Sequence, residues 1–360
     1  MIVRGLLLFI PVSLALAYWA HASPVWIFAS GALAIFALAD WIRRATDSLA
    51  NRAGSSIGGL VNISFGSTAE LVLALFVLAT GNTYVVKAEI TGSVIASSLL
   101  ALGLAVLVGG WTRAKQSFKP ERAELLNSLL TLSIIALLLP AFFDYTERRL
   151  PAHGTLVGSD EKLSLSVSVV LILVYLANLV FTLRTHRDVF ASRKSNEPPA
   201  WSLWKSLRVL LVATVFIAVE SNLIARNLQA TATQLGVTTL FLGVIVLALI
   251  GNASDIFTAV YFARRDRMGL VMGICLGSTV QVALLLAPAL VLISYLMGHP
   301  MNLVFSSPLE LIAIVGAVLA VNAIARDGET TWFGGLLLVA VYCLFGLAFF
   351  FAAAPHPTGR

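Results

Sequence analysis

Two short runs of this chain place small, polar and acidic residues inside an otherwise apolar sequence. The first is Phe65-Gly66-Ser67-Thr68-Ala69-Glu70-Leu71 and the second is Ile250-Gly251-Asn252-Ala253-Ser254-Asp255-Ile256. About twenty residues after each comes a Gly-Ser pair, Gly92-Ser93 and Gly277-Ser278, followed by Ser97 in one case and by Thr279 and Gln281 in the other. An ionised carboxylate in an apolar stretch is costly unless it faces a cavity, a partner or a bound ion. Glu70 and Asp255 are therefore the candidate ligands, with Ser67, Thr68, Asn252, Ser254, Ser93, Ser97, Ser278 and Gln281 as supporting oxygens. Hard cations such as calcium take about six to eight oxygens, so two carboxylates, neutral oxygens and water make a suitable shell. Sodium fits a similar one. Neither run contains His or Cys, which argues against a zinc-type or copper-type site.

The two runs are copies of one pattern. Sliding the chain by 185 positions superposes Gly58 on Gly243, Gly66 on Gly251, Ala69 on Ser254, Glu70 on Asp255, Gly92 on Gly277 and Ser93 on Ser278. Gly66 and Gly251 permit unwound or closely approached backbone, whose carbonyls would serve as further ligands.

The elements that must position these residues are membrane helices. Of 360 residues 59% are hydrophobic and only 12% charged, and the mean hydropathy of +0.92 lies far from that of a soluble domain. A bilayer core of about 30 Å needs about 20 apolar residues per helix. On that measure eleven spans are expected, at 4–22, 24–44, 57–80, 84–111, 122–143, 164–184, 204–227, 236–263, 269–297, 307–326 and 331–353. The fold class is all-α and polytopic. Its organisation is an extra N-terminal helix (1–23), a first five-helix repeat (24–184), a linker (185–203) and a second five-helix repeat (204–360). An odd number of spans per repeat inserts the halves in opposite orientation, bringing Glu70 and Asp255 to a common midplane. Ala20-His21-Ala22-Ser23 resembles a signal-peptide cleavage site, but the first run is counted as a span. Cys275 and Cys343 fall inside spans and read as small buried apolar residues rather than a disulfide pair.

With eleven spans, eighteen of the 24 Lys and Arg residues fall on one side and six on the other. The positive-inside rule then puts the N-terminus and the 185–203 linker in the cytoplasm and the C-terminus outside, as expected for a cell (inner) membrane protein. Topology accounts for the net charge of +6, and no aromatic-interleaved basic patch points to nucleic acid. Three further acids have structural readings. Ser307-Pro308-Leu309-Glu310 reads as a capping box opening a span, whereas Glu89 beside Lys87 and Asp40 beside Arg43 read as interfacial anchors near span ends.

The run from Gly58-Gly59-Leu60-Val61-Asn62-Ile63-Ser64 through Glu70 and Leu71 resembles the first signature of the calcium/proton exchanger family, within the calcium/cation antiporters. Gly251-Asn252-Ala253-Ser254-Asp255 resembles the second. Ala45-Thr46-Asp47-Ser48-Leu49, Gly277-Ser278-Thr279-Val280-Gln281, Thr185-His186 and Asp327-Gly328-Glu329 with Trp332 follow in family order over nearly the whole chain. The resemblance implies an eleven-helix antiporter exchanging calcium for protons with no cofactor, in which Glu70 and Asp255 are the shared ion and proton acids. It also implies that Asp47, with Glu220 as its counterpart, guides ions on the cytoplasmic side. The chain differs from the family pattern at Ser67 and Ser97, where Asn is usual, and at Asp255-Ile256, where Glu-His is usual. The alternatives are a sodium- or potassium-selective cation/proton exchanger and, from another class, an intramembrane aspartyl enzyme. The second needs one carboxyl as acid and one as base, and no Tyr-Asp or Gly-x-Gly-Asp arrangement is present.

Overall fold

The computed structural model describes residues 6–20, 22–118, 120–147, 159–182, 201–305, 307–325 and 328–352. Most of the 185–203 linker, including Thr185-His186, most of the connection at 144–163, and Asp327 lie outside the described residues. In a bilayer only hydrogen-bonded backbone is tolerated, and the apolar runs accordingly form helices. These are α1 (Phe9–Tyr18), α2 (Pro24–Gly66), α3 (Thr68–Ala79), α4 (Thr83–Gly110), α5 (Pro120–Glu147), α6 (Ser159–Val180), α7 (Leu203–Leu235), α8 (Thr239–Gly251), α9 (Ala253–Arg264), α10 (Met268–Leu296), α11 (Pro308–Ala325) and α12 (Trp332–Phe351). Single π turns interrupt α4 at Ala96–Ala101, α8 at Leu242–Leu247 and α10 at Val282–Leu286.

Among the described residues, eight helices are long and apolar enough to cross a membrane, and nine if α8 and α9, bent by 54° at Asn252, form one broken span. α1 and α3, with 10 and 12 residues, are shorter apolar helices. Two span boundaries depart from the expectation. The chain does not pause between residues 44 and 57; α2 runs on for 43 residues to Gly66 and breaks only at Ser67. Nor is 236–263 one straight span, since the backbone turns at Asn252. Hydropathy registers where lipid-like composition stops, whereas a helix continues through a polar stretch as long as its own hydrogen bonds close.

The chain divides into two compact units. In the first (Met1–Gly92, Ala191–Ser254 and Cys343–Arg360), α7 packs along α2 and α3, α1 lies on α2 and α7, and α8 packs on α2 and α3. Gly92 on α4 meets α8 so closely that a Cβ there would stand 2.0 Å from the Val244 carbonyl oxygen, and a Cβ at Gly243 would stand 2.7 Å from that of Ala88. Small residues at such a crossing let two backbones touch. The N-terminal end of α7 is pinned by Trp201, whose carbonyl accepts two hydrogen bonds from Arg52 (2.8 and 3.1 Å) and whose ring lies 5.7 Å from that of Trp41.

In the second unit (Ser93–Phe190 and Asp255–Tyr342), α10 packs against the π turn of α4 and against α5 and α6, and α11 against α5. Gly103 and Gly335 make the equivalent close crossing between α4 and α12. The loops at one end are knitted together. Gln116–Ser117 (β1) pairs antiparallel with Glu329–Thr330 (β2), Lys115 donates to Glu329 at 2.7 Å, and Arg113 donates to the carbonyls of Ala263 and Arg264. The capping box at the start of α11 is present: Ser307 Oγ accepts from Leu309 N–H, and Glu310 Oε2 accepts from Ser307 N–H at 3.1 Å.

Candidate cation site

Both signature runs break their helices at the same step. Ser67 has φ −94° and ψ 20°, and Asn252 has φ −90° and ψ 5°. This sparsely populated bridge conformation stops one helix and lets the next start at a new angle. Asn252 closes the end of α8 twice over, its backbone N–H and its Nδ2 both donating to the Ala248 carbonyl, at 3.0 and 2.9 Å. In each case the acid is the third residue of the helix that restarts, Glu70 in α3 and Asp255 in α9. A carboxylate in a first helical turn is favoured by the positive end of the helix dipole.

The first unit gathers Ser67, Thr68, Glu70, Asn252 and Ser254. Glu70 is 2% exposed. The α3–α8 packing brings Gly251 against it, since a Cβ at 251 would lie 3.3 Å from Cβ and Cγ of Glu70. The second unit holds Ser93, Ser97, Asp255, Ser278 and Gln281. There Ser93, Ser97 and Ser278 are buried, and Asp255 and Gln281 are half-buried. The Ser278 hydroxyl has no hydrogen-bond partner among the described residues, whereas that of Thr279 donates to the Cys275 carbonyl at 2.8 Å. No group of three or more His, Cys, Asp or Glu side chains is assembled for a metal among the described residues. Any cation shell built from these residues draws most of its oxygens from hydroxyls, amides and backbone.

The two expected access acids differ from each other. Asp47 is half-buried on α2 and paired with Arg43 at 2.9 Å. Glu220 stands in the middle of α7 and is fully buried, its Oε1 accepting from Ser13 of α1 at 2.7 Å. Its surroundings are the packed faces of α1 and α2.

The chain was compared with known proteins. The family model described as sodium/calcium exchanger protein matches residues 23–184 and 205–351. The chain belongs to that family. A Ca(2+)/H(+) antiporter of Aphanothece halophytica is 41% identical, over 98% of this chain and 96% of its own length. The Ca(2+)/H(+) antiporter ChaA of Bacillus subtilis is 38% identical, over 93% and 94%. The solved structure of native YfkE superposes with a TM-score of 0.84 at 34% identity, covering 97% of this chain and all of that one. The H+/Ca2+ exchanger CAX shares the fold, with a TM-score of 0.72 at 16% identity.

Three other acids and one cysteine of the exchanger are placed differently from, or more fully than, the sequence suggests. Glu89 is not an interfacial anchor. It is 1% exposed, on a helix face that a pattern reading can find because Ser93 and Ser97 follow it at intervals of four. Asp40 is likewise buried rather than anchored at a surface, held between Arg43 at 2.9 Å and Arg44 at 2.7 Å. Glu310 keeps its capping role. Cys275 is buried as expected, but Cys343 lies on the exposed face of α12, where an apolar outer surface suits lipid.

Proposed function

We propose that this exchanger moves calcium against protons through Glu70 and Asp255, each alternating between holding the cation and holding a proton. The observation that carries the reading is the doubled arrangement of a bridge-conformation break followed by an acid in the first turn of the restarting helix, at Ser67–Glu70 and Asn252–Asp255. Antiporters named for Ca2+ and H+ at 38–41% identity over nearly the full length support the choice of ions. Ser67, Thr68, Asn252, Ser254, Ser93, Ser97, Ser278 and Gln281 complete the oxygen shells. Asp47, half-buried at the polar stretch of α2, collects cations.

The same reading extends to topology. α1 is an extra helix, followed by two inverted five-helix repeats, α2–α6 and α7–α12, with α8 and α9 counted as one broken span. The total is then eleven, α1 and α3 each being the described helical part of a span. The N-terminus and the linker are cytoplasmic and the C-terminus is outside, in a cell membrane. The matching positions of the two breaks and of the π turns in α4 and α10 support this symmetry.

The test is flux. Purified protein in liposomes with an imposed proton gradient should dissipate it on addition of calcium, and calcium should accumulate against its own gradient. Manganese, sodium and potassium in the same preparation rank selectivity. A gradient indifferent to calcium but collapsed by sodium or potassium would overturn the assignment of calcium as cargo.

A further inference from the structure

Five carboxylates lie buried in the described helices, and four have a role above: Glu70, Asp40 between its arginines, Glu220 on Ser13, and Glu310 in its capping box. Glu89 is the fifth. It is the seventh residue of α4, and neither of its carboxyl oxygens has a hydrogen-bond partner among the described residues. It lies close enough to Glu70 for the two charges to act on each other. The crossing at Ala88, Gly92 and Gly243 fixes this stretch of α4 on α8, and α8 in turn carries Gly251 against Glu70.

A neutral carboxyl does not resolve the arrangement, because its O–H would still need an acceptor and its other oxygen a donor. Something outside the chain must meet both oxygens. A hard divalent cation does so with its own water, and it also offsets the proximity of two acids. We propose that Glu89 is a second carboxylate ligand, with Glu70, for the transported divalent cation. This deepens the antiport reading and rests on it.

The test uses the full chain in liposomes, comparing wild type with Glu89→Gln, Glu89→Asp and Glu70→Gln. Glu89→Gln should raise the calcium concentration giving half-maximal exchange by roughly tenfold or more, the size expected for losing one charged ligand. Glu89→Asp keeps the charge on a shorter arm, so it should fold and change the ranking of calcium against the smaller manganese ion. Wild-type half-saturation in Glu89→Gln would mean that water alone meets the carboxyl, and it would overturn the proposal. Should that variant not fold, Glu89→Asp with wild-type half-saturation and wild-type ranking would do the same. If Glu70→Gln stops exchange while both Glu89 variants behave as wild type, only the role of Glu89 falls. If Glu70→Gln also exchanges normally, the antiport site itself is misassigned.

Discussion

The backbone of Gly251 lies against the side chain of Glu70, with room for a Cβ only at 3.3 Å from two of its carbons. The second signature thereby sets the position of the first signature's acid. A methyl at 251 must push Glu70 by a few tenths of an ångström. Gly251→Ala should lower calcium exchange several-fold with a stability loss of about 1 kcal/mol, the low end for overpacking. Parallel flux and thermal-unfolding measurements would show the two effects separating. Equal losses of both would point to general misfolding.

Replacing either signature acid with its amide keeps the shape and removes the titrating charge. Glu70→Gln and Asp255→Asn should each abolish coupled exchange. Any residual calcium binding should lose its pH dependence, because protons no longer compete there. Isothermal titration of calcium at two pH values reads this directly. Amide variants exchanging at wild-type rates would leave these carboxyls a purely structural role.

Gly92 and Gly277 are repeat mates by sequence, and their described surroundings differ. A Cβ at 92 would collide with the Val244 carbonyl at 2.0 Å, whereas a Cβ at 277 would meet no atom of the described residues within 4 Å. Gly92→Ala should therefore destabilise by roughly 1–3 kcal/mol or prevent folding, while Gly277→Ala should fold normally. Yield and melting temperature of the two variants in detergent settle the comparison.

Ser13 on α1 supplies the hydrogen bond to Oε1 of Glu220, whose Oε2 has no partner among the described residues. Ser13→Ala should cost about 1–3 kcal/mol by leaving a buried oxygen unmet. Adding Glu220→Met should recover much of that, because an apolar pair has nothing left to satisfy. If the stable double variant also transports normally, Glu220 serves packing. If it is stable but inactive, Glu220 stands on the ion path after all.

Much of the fold was legible because lipid imposes a simple rule on composition, and the acids at 70 and 255 stood out because a shift of 185 aligned them. The failures have a common origin. α2 continued past the expected boundary because a helix needs no apolar residues to persist, only closed hydrogen bonds. Glu89 was read from its neighbour in sequence, Lys87, although a residue in a helix is placed by what stands three and four positions away. Glu220 sat on a stretch whose interior face became visible only once α1 was packed on it. Side-chain partners across long sequence separations, such as Ser13 and Glu220, leave no local pattern at all.

The π turn in α4 has a mechanical consequence. Each residue advances an α-helix by about 100°, so positions eleven apart would fall within about 20° of the same direction. Gly92 and Gly103 are such a pair, yet one receives α8 and the other α12. The extra residue in the Ala96–Ala101 turn rephases the rod between them, so that one stripe of small residues serves two different neighbours. Deleting a single residue from that turn would realign the stripe, and α4 would then have to give up one of its two contacts.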